Sequence, residues 1–386
     1  MPKVVNYNLY LVPPRWLFLK LECDNGLEGW GEPVVEGRAL TVKAATAELI
    51  EKYLLGQEVS NINKLWQILY KGGFYRGGPI LMSALSGIDQ ALWDIKGKML
   101  NVPIYELLGG KVRNKIKVYR WVGGDELDPQ VAIEGAKKGI EQGFRALKMN
   151  VAGKLEFIET PSKLRKVVEK IAKVREALGW DFHIAVDFHG RVSPSLAPKL
   201  SEMLEEVEPL FIEEPVPPEY ISELKKVRLR TNIPIAFGER LFNRWDFRPY
   251  LEEGLVDILQ PDLSHAGGIT ECMKISNYAE IHGVLMAYHC PLGPIAFASS
   301  LQLATVNHNF LIQETSLGIH YNEGLELTTY LKNPEVFKVE SGFISPPSKP
   351  GLGVEIDEDV VKRLSKQFKD WSNPIWVHED GSFAEW

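Results

Sequence analysis

IAVD (184–187), FIEE (211–214) and IAFGE (235–239) each carry an acid at the end of a short apolar run, and Asp187, Glu213 and Glu239 stand 26 positions apart. Apolar runs separated by about one helix-length predict parallel strands joined by crossover helices. When such strands close into a barrel, their carboxyl ends share one rim, where barrel enzymes carry their sites. Three carboxylates on one rim repel one another at neutral pH unless a cation lies between them. Oxygen-only ligands suit Mg2+, Mn2+ or Ca2+, whereas zinc favours His or Cys. One such acid reads as a solvated strand end; three in register point to a metal.

The rhythm continues on both sides. IKVY (116–119), ALKM (146–149), HIAVD (183–187), LFIE (210–213), PIAFG (234–238), DILQP (257–261), VLMAYH (284–289) and FLIQE (310–314) are eight strand candidates, with helical stretches such as 163–178 and 195–207 between them. Eight strands with crossovers is the count of a (β/α) barrel. Upstream the texture differs. Residues 3–11, 16–23 and 28–34 alternate like an antiparallel meander, with turn signals at Pro13-Pro14 and Asp24-Asn25-Gly26. Helical periodicity follows over 39–55, 61–71 and 79–100, and Asn101 and Pro103 stop the last of these. The expected class is α/β: an α+β capping domain over 1–113, a barrel over 114–324, and a segment 325–386 packing back on the capping domain.

The chain has 386 residues, 45% hydrophobic and 25% charged, with a formal net charge of −7. That length holds a barrel of about 250 residues plus a smaller domain. The charge balance and the lack of a Lys/Arg run argue against nucleic acid or a membrane surface as partner. MPKVVNYNLYLVPP lacks the pattern of a signal peptide, and no stretch approaches a membrane span, so a soluble, cytoplasmic protein is expected. Cys23, Cys272 and Cys290 are far apart and read as small buried hydrophobes of a reducing compartment.

The strand ends deliver Lys148 and Asn150, Asp187 with His189, Glu213, Glu239, Asp262, His289 and Glu314. Asp187 and His189, at i and i+2, are expected to project from one side of a strand. Asp262 and His289 close consecutive strands, which lie about 4.8 Å apart, so the carboxylate can hold the imidazole. Such a partner fixes the tautomer and raises the basicity of the other nitrogen, which is how a general base is built; a purely structural His–Asp bond is the alternative. His265 and His320 follow strand ends within reach of a substrate, whereas His183, His282, His308 and His378 read as structural or surface residues. The Gly-rich pieces 72–79 and 266–268 lack phosphate-loop spacing.

VDFHGRVS (186–193), PLFIEEPV (209–216), GERLF (238–242), ILQPDLSHAGGITEC (258–272), HCPLGPIA (289–296) and QETSLGIHYN (313–322) together resemble the enolase superfamily, in its mandelate racemase group, and within it the galactonate dehydratases. PPRW (13–16), GFYRGGPILMSALSGIDQALWDIKGK (73–98) and KPGLGVEID (349–357) extend the likeness over essentially the whole chain. The resemblance implies a (β/α)7β barrel, TIM-like, whose N-terminal α+β capping domain closes loops over the substrate. It implies Mg2+ on Asp187, Glu213 and Glu239, His189 as acid and His289–Asp262 as base. Glu314 would lie opposite the metal, hydrogen-bonded to the substrate carboxylate, with Lys148 as a nearby cation. Arg15, Trp16, Asn150 and His320 would contact the substrate, and a homo-oligomer is the family expectation.

Racemases of this kind carry Lys-x-Lys on the second barrel strand, whereas this chain has Lys148-Met149-Asn150. Asn has no proton to exchange, so one face lacks a base and a one-base elimination is left. A metal-chelated carboxylate has a more acidic α-proton, and a departing β-hydroxyl needs a proton. The expectation is dehydration of a sugar acid, D-galactonate first, with another aldonate such as gluconate or arabinonate as runner-up. A Schiff-base aldolase using Lys148 would need a depressed lysine pKa, which nearby carboxylates oppose. A non-catalytic relative of the fold is the other competitor.

Overall fold

The computed structural model describes residues 1–322 and 324–386. Strands β1 (Val4–Val12), β2 (Trp16–Cys23) and β3 (Glu28–Gly31) form the antiparallel meander, with Leu9 opposite Leu19 and Val12 opposite Trp16. Helices α1 (Ala39–Leu49) and α3 (Gly78–Leu100) pack on it, and α2 (Ile62–Lys71) packs against α3.

The barrel strands are β4 (Ile116–Trp121), β5 (Ala146–Asn150), β6 (His183–Asp187), β7 (Ile212–Glu213), β8 (Ile235–Phe237), β9 (Ile258–Leu259), β10 (Leu285–Met286) and β11 (Gln313–Thr315). Each of the eight candidate runs supplies one of them. Neighbours from β4 to β10 pair in parallel and β11 returns to β4. A parallel bridge between Met286 and Phe310 joins β10 to the run leading into β11, which closes the ring. Several strands are shorter than the apolar runs suggest, with β7, β9 and β10 reduced to two residues each.

Side chains alternate along a strand, so alternate residues line the barrel interior. One interior layer takes a residue from each of the eight runs: Tyr119, Ala146, Ala185, Phe211, Ala236, Ile258, Ala287 and Ile312, all buried. Four alanines leave room for the large rings. Two residues further along, the same alternation brings Lys148, Asp187, Glu213, Gln260, His289 and Glu314 to the mouth.

Helix α3 shows how the capping domain is fixed. Ser86, Asp89, Gln90 and Trp93 recur at i, i+3, i+4 and i+7, a polar stripe that would ordinarily face water. Here it docks on the segment after β9. Ser86 accepts from the Gly267 N–H, the Asp89 carboxylate accepts from the Thr270 N–H and hydroxyl, Gln90 donates to the Leu263 carbonyl, and Trp93 donates to the Thr270 hydroxyl oxygen. Glu32 adds a second tie: its carboxylate accepts from the N–H groups of Gly293, Ile295 and Ala296, at the start of the helix Pro294–Val306. Negative charge is favourable at a helix N-terminus.

The C-terminal segment divides. The pair β12 (Phe343–Ile344) adds antiparallel to the start of β4, Tyr330 donates to the Pro13 carbonyl, and Glu358 accepts from Lys20 and Tyr10. Residues 371–386 run elsewhere, to the barrel rim, through a small hairpin of β13 (Trp376–Val377) and β14 (Phe383–Ala384). No helix of the described residues is long and apolar enough to cross a membrane.

Two outcomes test this packing. A Cβ on Gly31 would lie 1.9 Å from the Gly87 carbonyl oxygen in α3, so Gly31→Ala forces two backbones apart. It should cost about 3 kcal/mol or more by urea unfolding, the upper range for overpacking. Burial pushes the Glu32 carboxyl from 4.5 up to about 8 despite its three N–H donors. A raised folded pKa means a contribution to stability that is full below the unfolded value and lost as pH rises toward the folded one. The stability lead of the parent over Glu32→Gln should therefore shrink between pH 5 and pH 8, read from urea midpoints at both.

Candidate active site

Asp187, Glu213 and Glu239 each offer an oxygen within 4.8 Å of the others. Asp187 and Glu213 end β6 and β7, paired directly across the ladder, and Glu239 follows β8. The three oxygen donors fit a hard divalent cation without further ligands from nitrogen or sulfur. Lys148 carries part of the charge: its Nζ lies 2.8 Å from Glu213 Oε1, 2.8 Å from Glu314 Oε1 and 3.7 Å from Asp187 Oδ2. Burial alone would deprotonate Lys148, but Glu213 and Glu314 hold its pKa well above the usual lysine range. Glu213 also accepts from Gln260 at 2.7 Å, and burial pushes its pKa up against the pull of Lys148.

His289 Nδ1 lies 2.8 Å from Asp262 Oδ2. An ionised carboxylate can only accept, so Nδ1 carries the hydrogen and Nε2 is left open, 3.4 Å from Glu239 Oε2 and 3.9 Å from Glu314 Oε2. Burial disfavours the charged ring, yet Glu239, Glu314 and Asp262 together raise its pKa well above the imidazole range. Asp262 is itself fixed by the Ser264 N–H at 2.6 Å.

His189 reaches the same cavity by a route other than the expected one. Strand β6 ends at Asp187, and His189 sits in a turn with φ +54°, its N–H donating to Asp187 Oδ1 at 2.7 Å. The turn, not the pleat, aims the ring. Its Nδ1 lies 3.1 Å from the Trp386 carbonyl oxygen, and burial lowers its pKa in spite of Asp187 and Glu239.

A cavity of about 320 Å³ joins these groups, with Lys148, Asp187, Glu239, His189, His289 and Glu314 in its wall and Glu213 beneath Lys148. Arg15 lines it as expected and donates to the Pro291 carbonyl at 3.2 Å. The three other expected substrate contacts, Trp16, Asn150 and His320, do not line this cavity. Trp16, the first residue of β2, is fully buried against Phe18 and Tyr330. Asn150 is fully buried behind the wall, its amide toward the carbonyls of Gly124 and Asp125 at 3.5 and 3.3 Å. His320 lies against Trp121 outside the wall, and its neighbour Tyr321 takes the inner position, donating to Asp125.

The sequence reading missed Glu36, Arg240, Tyr321, Asn373 and Trp386, all in the cavity wall. Arg240 directly follows a ligand candidate and pairs with Glu214 at 2.6 Å, a signal the GERLF run contained. Glu36 sits 3.4 Å from His265 Nε2. Burial would raise the Glu36 carboxyl, but His265 and Arg15 hold it down at about 2. Nothing in local sequence pattern marks Glu36, because its partner is on another domain.

A closed parallel barrel with a carboxylate cluster and an Asp–His pair at its mouth, under an α+β cap, defines a class that sequence comparison names. Residues 132–360 match the family described as enolase C-terminal domain-like, and residues 13–109 match the mandelate racemase/muconate lactonizing enzyme N-terminal domain. The chain belongs to the enolase superfamily, in its mandelate racemase group. Among similar solved structures is an enolase from Agrobacterium radiobacter, a proposed galactarate dehydratase with bound Na and L-malate. It is 29% identical with a TM-score of 0.91, covering 99% of this chain and 100% of that one. A proposed mandelate racemase/muconate lactonizing enzyme from Burkholderia SAR-1 is 33% identical, TM-score 0.87, covering 99% and 100%. A proposed dehydratase from Mesorhizobium loti is 28% identical, TM-score 0.87, covering 94% and 98%.

A cation bound only by the folded cluster stabilises the fold by mass action, about 2.7 kcal/mol at a hundred times its dissociation constant. Adding Mg2+ or Mn2+ to chelator-treated protein should therefore raise the melting temperature by a few degrees, read by calorimetry. Glu239→Gln, which removes one anionic ligand, should abolish most of that rise.

Proposed function

We propose that this enzyme is a Mg2+-dependent sugar-acid dehydratase that converts D-galactonate to 2-dehydro-3-deoxy-D-galactonate and water. One observation carries the reading: two imidazoles line one cavity beside the carboxylate cluster, each with Nδ1 already committed, His289 to Asp262 and His189 to the Trp386 carbonyl. Their Nε2 atoms are left for proton transfer. When bound on Asp187, Glu213 and Glu239, Mg2+ supplies charge stabilisation for the enediolate that follows loss of the α-proton.

The protein's own groups do the rest. His289, its basicity raised by Asp262, takes the α-proton at Nε2. Lys148 and the Glu314 carboxyl group lie beside the cluster, where the substrate carboxylate would bind; the ammonium offsets the charge that develops there. His189 gives a proton from Nε2 to the departing 3-hydroxyl, a poor leaving group as hydroxide. The enol then becomes the 2-keto acid. With Asn150 turned away behind the wall, that strand position supplies no second base. The Schiff-base alternative loses support because Lys148 is held as an ammonium. The motifs shared with galactonate dehydratases reach the capping segment that carries Arg15, which favours D-galactonate over gluconate or arabinonate.

A panel of sugar acids assayed for 2-keto-acid formation tests the substrate: D-galactonate should give the highest kcat/KM, EDTA should abolish turnover and Mg2+ restore it. Preference for a different aldonate would move the assignment to the runner-up. His289→Asn should lose both dehydration and exchange of the α-proton in deuterated solvent. His189→Asn should lose dehydration by about 10²–10⁴-fold, as removal of a general acid does, and still exchange the α-proton slowly with retention of configuration. Racemised substrate from that variant would reveal a second base.

A further inference from the structure

Residues 371–386 lie beyond both family-matched segments, yet they finish in the wall of the cavity. The hairpin of β13 and β14 is pinned to the barrel side. Lys154 donates to the Val377 carbonyl at 2.6 Å, and the Arg191 guanidinium, on the turn after β6, lies 4.8 Å over the Trp376 ring. Trp371 packs 5.9 Å from Trp386 and lies 5.2 Å from the Arg15 guanidinium, which links the segment to the capping domain. Cation–π contacts of this kind hold best where the partners are desolvated, and Arg15 and Arg191 are both buried. The segment is thus seated from two sides.

Its consequence falls on His189. The Trp386 carbonyl oxygen lies 3.1 Å from His189 Nδ1, and the indole meets the imidazole edge-on at 5.3 Å. A main-chain oxygen, whether carbonyl or carboxylate, can only accept, so this contact selects the Nδ1–H form of the neutral ring and leaves the lone pair on Nε2. Aqueous imidazole exchanges both forms freely; here the choice is made by a residue 197 positions away. We propose that Trp386 is a positioning residue, whose main-chain oxygen fixes the tautomer and orientation of His189 so that Nε2 alone faces the substrate. The role of His189 as proton donor rests on the dehydratase reading above; the tautomer does not.

The test uses protein labelled with ¹⁵N-histidine, comparing the full chain with one stopped after Ala384. Long-range ¹H–¹⁵N spectra read each tautomer, and loss of a signal in His189→Asn assigns it. The full chain should show His189 as the Nδ1–H form, and the shortened chain should shift toward the Nε2–H form or an average of the two. Trp386→Phe, which keeps the carbonyl, should retain the parent tautomer. Lys154→Ala with Trp376→Ala loosens the hairpin without shortening the chain and should reproduce the shift. In turnover of the best sugar acid, the shortened chain should lose kcat by about 10²-fold, as for a misplaced general acid, while His289-dependent α-proton exchange persists. An unchanged Nδ1–H form in both the shortened and the loosened chains overturns the proposal. A tautomer shift in a protein that dehydrates no sugar acid upholds the positioning role and overturns the dehydratase reading instead.

Discussion

Everything at the mouth of this barrel depends on how buried negative charge is compensated. Asp187, Glu213 and Glu314 are all buried and share one ammonium, that of Lys148, with Glu239 close by and no lysine contact of its own. Like charges at these distances raise one another's pKa unless cations intervene. Lys148 and His289 offset only part of this charge, and the spacing of Asp187, Glu213 and Glu239 suits a further cation. The same field tunes the rest of the site. Glu239 and Glu314 raise the His289 pKa, and the lysine that an aldolase would need neutral stays charged.

What could be read from the sequence was what obeys a period. The 26-residue repeat located three strand ends, and alternation located the residues that face inward, because each strand's register is tied to its neighbour by main-chain bonds. Lys148, Asp187, Glu213, His289 and Glu314 all follow that rule. His189 reached the cavity although the reason first given for it fails: the strand has ended, and a left-handed turn does what the pleat was expected to do. Arg15 and Trp16 show the limit of pattern at one-residue resolution: Arg15, in the turn before β2, lines the cavity, whereas Trp16, which opens β2, is buried against Phe18 and Tyr330. Asn150 obeys the alternation but uses its amide on the 124–125 carbonyls. Glu36, Tyr321 and Trp386 were illegible for a different reason. They come from loops and a tail whose placement is set by contacts with distant segments, and no local periodicity records such contacts.

The polar stripe on α3 belongs to the same lesson. Ser86, Asp89 and Gln90 are polar residues on one side of α3, yet each is buried and hydrogen-bonded to the segment after β9. Buried polar groups are tolerated only when paired, and paired in fixed geometry they specify one docking position rather than a sliding apolar contact. That segment also carries Asp262 and His265. The capping domain therefore sets the position of the carboxylate that orients His289, as well as supplying Arg15 and Glu36 to the cavity wall.

The two histidines then differ in the partner each Nδ1 has. His289 is held by an ionised carboxylate, which stabilises the protonated ring and makes Nε2 more basic. His189 is held by the main-chain oxygen of Trp386, which fixes the tautomer, and burial lowers its pKa. In the proposed elimination one ring must take a proton from a weak carbon acid and the other must give one to a poor leaving group. A strong base and a strong acid of the same residue type can coexist in one cavity only if their surroundings push them apart. Asp262 on one side and the Trp386 main-chain oxygen on the other give the two rings the different surroundings that the proposed division into base and acid requires.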